Sequence, residues 1–235
     1  MIRTRRFSVR RIVGVAWVLI FGARAAAAQH YGLREVRDQG TYGFNLAVGT
    51  PQGDFARNVN VAGGLDGFAA LNLGRGSPVA LRFEGSYLIY GSDHTFIPQS
   101  FGSHLNTTYS IATFGIGPQI TIGQGPMRLY GFGTIGISYI SAYSSFGPDP
   151  YGYNSVTDFS DWTAAVQGGG GVLLRVGRHS PVFLDLGVRY LHNGFAHYVA
   201  PGDVQPQTNG DILVFTTRAR PDLAVFHLGV TIAVR

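Results

Sequence analysis

The charged residues that could do chemistry in this chain sit in alternating patterns. Arg82 and Glu84 are two residues apart within Val79–Tyr87, and Asp185 and Arg189 are four apart within Val182–Tyr190. Asp66 sits in a third such stretch, Gly63–Leu73. Even spacing puts side chains on one face of an extended strand. The expected chemistry is therefore electrostatic pairing inside a buried interior, a charge network of Arg82, Glu84, Asp185, Arg189 and Asp66 that braces the fold. Gln167 and His227 are expected to join it.

Two other patterns look chemical and read otherwise. Gly131-Phe-Gly-Thr-Ile-Gly136 fits G-x-G-x-x-G, but Ile137-Ser-Tyr-Ile140 follows it and is strand-like. A dinucleotide site needs a helix opening there to aim its amides at phosphate. Glycines in a strand instead let the sheet coil or leave room for neighbours such as Phe132. His94, His104, His192 and His197 match no metal-ligand spacing and read as solvated loop residues. No catalytic residue, metal or cofactor is expected.

The elements that carry these residues follow from the same periodicity. The stretch Gly74–Tyr87, GRGSPVALRFEGSY, recurs at Gly177–Tyr190 as GRHSPVFLDLGVRY. Each copy opens on a Gly-Arg-x-Ser-Pro turn and runs into strict alternation. Val79, Leu81, Phe83 and Tyr87 share one face of the first copy, and Val182, Leu184, Leu186, Val188 and Tyr190 the same face of the second. Further strands are predicted over 41–50, 63–73, 107–122, 127–143, 162–176 and 222–235. Pro118 suggests a bulge or local kink. The count is eight, and the connections alternate long and tight. Up-and-down transmembrane barrels have that rhythm, with short turns on one side of the membrane and long loops on the other. The predicted fold is all-β, an eight-stranded antiparallel transmembrane barrel, with loops at 51–62, 91–106, 144–161 and 193–221. A ten-stranded version would place an extra hairpin of the 193–221 region across the membrane.

Export is written at the start. Residues 1–11 are basic, Ile12–Gly22 is an apolar run too short to span a bilayer, and Ala25–Ala28 supplies small residues. This is the layout of a secretory signal peptide, residues 1–28, followed by a short periplasmic tail at 29–40 and the barrel domain at 41–235. Six of the 18 basic residues, all arginine, lie in that leader, which leaves 12 against 13 acids and a net charge of −1. The basic balance of the whole chain thus belongs to the leader and gives no case for nucleic-acid binding. The chain has no cysteine, so no disulfide holds it.

In a membrane barrel the apolar face meets lipid and the polar face the interior. From Val79 to Tyr87 is roughly 26 Å of strand, or about 20 Å of height once tilted, close to the apolar band of such barrels. Tyr87, Tyr139, Tyr143, Trp162 and Tyr190 fall on the apolar face near the long-loop ends, where an interfacial aromatic belt belongs. Strands three and seven are four apart in a ring of eight, which sets Arg82 level with Asp185 across the lumen.

Pro51-Gln-Gly-Asp-Phe55, the strand Pro78-Val-x-Leu-Arg-x-Glu-Gly-x-Tyr87 and the C-terminus resemble the small outer-membrane barrels typified by OmpA-like transmembrane domains and opacity-type proteins. The resemblance covers about residues 41–235. It implies an outer-membrane location in a Gram-negative-type bacterium, contact with outer-membrane lipid and insertion by the outer-membrane assembly machinery. It also implies a C-terminal assembly signal at His227, Gly229, Ile232 and Val234, with Val234 where the family has an aromatic. A monomer is expected, with a structural or adhesin-like role and the long loops as the surface for an extracellular ligand. The enzymatic alternative is a lipid A deacylase, which would pair His192 with a serine two residues on. Gly194 stands there instead. The other alternative is a small channel, were the barrel ten-stranded.

Overall fold

Alternation between apolar and polar residues sets the strands, and glycine-rich turns fold them into hairpins. The computed structural model describes residues 38–74, 77–97, 103–123, 125–147, 154–177, 180–206 and 212–234, so the expected leader and nearly all of the expected tail lie outside it. The strands are β1 (Gly40–Pro51), β2 (Ala62–Asn72), β3 (Val79–Ile97), β4 (Ser103–Ile122), β5 (Met127–Gly147), β6 (Asn154–Arg175), β7 (Val182–Asn193), β8 (Ala196–Tyr198), β9 (Val204–Pro206), β10 (Ile212–Val214), β11 (Thr217–Ala219) and β12 (Leu223–Val234). A short 3-10 helix, Phe55–Arg57, sits between β1 and β2.

Eight of these close a barrel in the order β1-β12-β7-β6-β5-β4-β3-β2. Closure comes from β1 against β12, antiparallel from Gly40↔Val234 to Pro51↔Leu223. Each strand of the ring thereby has a neighbour on both sides within the lipid-facing band, as a bilayer interior demands. Tight connections use residues that tolerate left-handed backbone. Gly123 and Gly125 both have φ of 102°, and Gly177 has 87°. The remaining strands form two small hairpins outside the ring, β8 with β11 and β9 with β10. They lie within 193–221, so the barrel has eight strands and the ten-stranded alternative is excluded.

The outward residues are apolar in a continuous band. Tyr42, Phe44, Leu46 and Val48 of β1, Leu65 and Leu71 of β2, Phe114 and Ile116 of β4, Ile135 and Ile137 of β5, and Phe226, Leu228 and Val230 of β12 are all exposed. A soluble domain rarely exposes a contiguous apolar patch beyond a few hundred Å². Here the patch encircles the molecule while arginines and carboxylates are buried inside. That is the inside-out pattern of a membrane barrel.

Two expectations are corrected. Residues 91–106 and 144–161 are mostly strand. β3, β4, β5 and β6 are 19, 20, 21 and 22 residues long, against 11 or 12 for β1, β2, β7 and β12. The polar composition resembles a loop because these strands have left the lipid, and their outward positions, such as Ser92, Thr108 and Ser160, become polar. Nor does Pro118 make a bulge. The β4–β5 ladder passes over Gly117 and Pro118 and keeps its register on both sides. The register shifts fall between Ile89 and Gly91 on β3 and between Ala142 and Tyr143 on β5.

Candidate functional site

The lumen is built from the inward positions of all eight barrel strands. Arg82, on β3, is 1% exposed. Its Nε donates to Glu84 Oε2 at 2.8 Å and its Nη1 to Gln119 Oε1 at 2.8 Å. The guanidinium lies between two rings, 3.8 Å from the centroid of Phe68 and 4.0 Å from that of Phe132. Thr134 donates to the other oxygen of Glu84 at 2.7 Å. Arg189 pairs through Nη1 with Asp66 Oδ2 at 2.6 Å, and Asn45 donates to Asp66 Oδ1 at 2.6 Å. Asp185 accepts from the Tyr130 hydroxyl at 2.7 Å and from Thr231 at 3.0 Å. His227 Nε2 is 2.8 Å from the same Tyr130 hydroxyl.

The five charges therefore divide into three groups, and Arg82 does not meet Asp185. Its carboxylate is Glu84, two residues along the same strand, because such neighbours share a face at close range. What links Asp185 toward Arg82 is Tyr130, whose ring centroid is 6.0 Å from the Arg82 guanidinium. Gln167 is buried close to this core. A third ion pair is absent from the expected network: Arg128 Nη1 to Asp38 Oδ2 at 2.8 Å. Asp38 precedes β1, where the sequence predicts only a tail. Arg128, Tyr130 and Phe132 alternate with Met127, Leu129 and Gly131, and that spacing is the signal that could have found it. Close packing here needs missing side chains. A Cβ on Gly187 would stand 2.5 Å from His227 Nε2 and 2.8 Å from the Tyr130 hydroxyl.

Toward the long-loop end the interior reverses character. Inward positions of β3 run Arg82, Glu84, Ser86, then Leu88 and Tyr90; those of β4 run Gln119, Thr113, then Ile111 and Tyr109. Leu88, Tyr90, Ile111, Tyr109, Ile140, Leu191, Leu223 and Val225 join one buried apolar cluster. Phe55 of the 3-10 helix and Tyr198 of β8 close it from above, edge-on to each other with ring centroids 5.0 Å apart. Tyr90 donates to the Val199 carbonyl at 3.0 Å, and Asn58 donates to the Tyr198 hydroxyl at 2.8 Å. Burial pushes the phenols of Tyr90, Tyr109 and Tyr198, all in this cap, above the usual tyrosine range. The upper part thus has the ordinary arrangement of a water-soluble barrel, apolar within and polar without.

The changeover lies at the level of the outward aromatics. Tyr87, Tyr143, Trp162 and Tyr190 are exposed. Tyr139 packs on Trp162 with centroids 4.6 Å apart. Beyond them β3 to β6 continue alone. β2 pairs with β3 only as far as Ile89, and β7 with β6 only as far as Ala165. β8 lies beside β6, where the His197 amide donates to Asp161 Oδ2 at 2.8 Å. That bond, foremost, holds the Asp161 carboxyl below its usual range. Among the described residues no backbone bond reaches the edge of β3 past Ile89 on the side away from β4.

The remaining candidates fall as follows. At the C-terminus His227 is buried against the lumen, Gly229 faces Asn45, and Ile232 and Val234 point outward on β12. His192 points outward with Nδ1 2.9 Å from Asp222 Oδ2. A Cβ at Gly194 would approach Thr163 Oγ1, at 2.5 Å, and the glycine carries no hydroxyl of its own to face His192. Gly131–Gly136 lies wholly within β5 and opens no helix. Among the described residues no cluster of His, Asp or Glu could hold a metal ion. His94 meets Asn106, 2.7 Å from Nδ1 to Oδ1. The side chains of His104, Phe96, Phe101, Tyr151 and Tyr153 lie outside the described residues.

No family model matches the chain, and no curated protein matches it in sequence. Among solved structures, Neisserial surface protein A superposes with a TM-score of 0.51 at 14% identity, covering 83% of this chain and 96% of that one. A major outer membrane protein of Thermus thermophilus gives 0.49 at 11% identity, over 83% and 99%. Ail, the attachment invasion locus protein of Yersinia pestis, in complex with the heparin analogue sucrose octasulfate, gives 0.47 at 12%, again over 83% and 99%. At such identity the likeness to Neisserial surface protein A is one of fold. The chain has the fold of the small eight-stranded outer-membrane barrels.

Proposed function

We propose that this chain is a non-catalytic surface protein of the outer membrane, working through the structure that rises above the lipid. The observation that carries the reading is the reversal of the barrel at its aromatic level. Below it the molecule is fitted to lipid; above it four strands and the 193–221 region are fitted to water. The edge of β3 beyond Ile89, which no backbone bond among the described residues reaches on the side away from β4, suits contact by strand addition, because a free strand edge is a template for an extended segment of a partner. In this reading residues 1–28 direct export, the 29–40 tail is periplasmic, the aromatics anchor the barrel at the interface, and the segment His227–Val234 serves assembly. The protein is a monomer.

The channel reading is disfavoured by the cap, since Phe55, Tyr90, Tyr109 and Tyr198 fill the mouth and an eight-stranded lumen is filled by side chains in any case. The deacylase reading lacks its nucleophile at Gly194. Three measurements on a membrane-extracted protein test the proposal. Faster migration of unboiled than boiled samples is expected on gels, with an unchanged lipid A acylation pattern in expressing cells and no conductance steps in planar bilayers. Whole-cell binding to a panel of extracellular proteins should then be lost when His94→Pro blocks the β3 edge. A changed acylation pattern would replace this reading with the enzymatic one.

A further inference from the structure

The outward face of the β8–β11 hairpin carries two arginines that no described carboxylate pairs. Arg218 is opposite His197 in the register, while Ala196, Tyr198 and Ala219 point inward and are buried. Phe195, His197, Arg218 and Arg220 therefore share the exposed side. The guanidinium carbon of Arg220 lies 4.4 Å from the centroid of the Phe195 ring, and that of Arg218 lies 5.5 Å from it. Two guanidinium groups thus gather on one exposed ring. Among the described residues neither forms an ion pair with a carboxylate. Among the described residues the nearby acids Asp161 and Asp222 are engaged elsewhere. Asp161 accepts from the backbone amides of His197 and Trp162, both at 2.8 Å. Asp222 accepts from the Asn193 amide at 2.8 Å and faces His192 Nδ1 at 2.9 Å.

Height decides what such a pair can meet. Through Asp161 the hairpin is tied to the residue beside Trp162, and through Asp222 it adjoins Tyr190, whose hydroxyl is 3.4 Å from that carboxylate. Both aromatics are exposed on the outer wall at the upper limit of the apolar band. The arginines consequently stand on the exposed side of the hairpin, close to the level of those aromatics. Arginine presents a planar fork matched to phosphate oxygens and is more weakly hydrated than lysine. Its pairing with a lipid phosphate is favoured at an interface, where field and dielectric both strengthen it.

We propose that Arg218 and Arg220, arranged on Phe195, form a site for the phosphate of an outer-leaflet lipid headgroup. This rests on the membrane reading of the barrel and adds to it a specific lipid contact. The test titrates the full chain, purified from outer membranes in dodecyl maltoside, with bisphosphorylated lipid A or its dephosphorylated form, and counts bound lipid by native mass spectrometry. Removing one arginine, Arg218→Ala or Arg220→Ala, should weaken binding of the phosphorylated lipid about fivefold, and removing both about 25-fold. The dephosphorylated lipid should bind the parent no better than the phosphorylated lipid binds the double variant. Arg57→Ala, at an exposed residue paired with Asp54 at 3.2 Å, should change nothing. Equal retention by the double variant, equal affinity for both lipids, or an equal loss from Arg57→Ala would each overturn the proposal. So would complete displacement of the lipid by an equal concentration of inorganic phosphate, which would mark a free-anion site. Unboiled gel migration verifies folding, and the Arg218→Gln/Arg220→Gln pair replaces the alanines should they fail it. A parent protein that is not heat-modifiable would instead sink the barrel reading itself.

Discussion

Replacing Arg82 by methionine should be among the most damaging single changes in the lumen, and replacing its partner as well should restore most of the loss. Arg82 and Glu84 are both buried and 2.8 Å apart. Arg82→Met keeps the stem that packs between Phe68 and Phe132 but leaves the Glu84 charge with only the Thr134 hydroxyl, at 2.7 Å. Breaking one side of a buried ion pair costs about 3–5 kcal/mol, because the remaining charge stays desolvated. Glu84→Met strands Arg82 with Gln119 and should cost a similar amount. The double variant removes both desolvation penalties, whereas Gln119 Oε1 loses its donor, which costs about 1–3 kcal/mol. The double variant should thus lie within about 2 kcal/mol of the parent, far from the sum of the singles. The assay is urea unfolding of the chain from Gln29 in lipid vesicles, followed by the fluorescence of Trp162 and by unboiled gel mobility. Of the two tryptophans in the sequence, Trp162 is the one left after residue 28. Singles that each cost under about 1 kcal/mol, or a double variant as unstable as their sum, would refute a desolvated pair.

Other consequences can be measured in the same system. Gly187→Ala should push His227 away from Tyr130 and lower stability by about 1–3 kcal/mol, as overpacking does; urea midpoints report it. Phe55→Ala removes a fully buried ring that lies edge-on to Tyr90 and Tyr198, with centroids 5.3 and 5.0 Å away. It should cost about 3–5 kcal/mol, with hydrogen-exchange protection lost around Tyr198 and kept at Arg82 and Arg189. The Asp161 carboxyl is held below its ordinary value of 3.8, chiefly by the His197 amide. A depressed folded value gives stability that is present above the ordinary value and lost as pH falls through the folded one. Protection of the His197 amide should therefore be flat from neutral pH down to that folded value and collapse only below it, and Asp161→Ala should abolish it at every pH.

Much of the barrel can be read from alternation alone, since period two separates lumen from lipid wherever a strand is half in each. Who pairs with whom cannot be read that way. Arg82 and Asp185 are level in a flat drawing of the sheet, but the stagger of a closed barrel displaces strands along one another. Partner choice therefore waits on shear, and on bystanders such as Tyr130 and Gln119. The upper half is hidden for a different reason. At Leu88-Ile89-Tyr90 the apolar face of β3 changes sides, and Ile111-Ala112 and Tyr139-Ile140 mark the same event on β4 and β5. Such a run looks like a strand end, and the polar residues after it look like loop. They are outward positions of a strand now in water. Asp38 gives no signal of its own because its partner, Arg128, is ninety residues away.

One barrel wall passes from lipid to water at the aromatic level, and β6 carries outward residues on both sides of that passage. Val166 and Ser160 point outward on either side of Trp162, six residues apart along one strand. The chain has no cysteine, so Val166→Cys and Ser160→Cys can each carry a single nitroxide. Their relaxation by oxygen, which concentrates in lipid, and by a nickel chelate, which stays in water, should then be compared in vesicles. Relaxation should be oxygen-dominated at Val166 and nickel-dominated at Ser160. Nickel access at Val166 equal to that at Ser160 would contradict it.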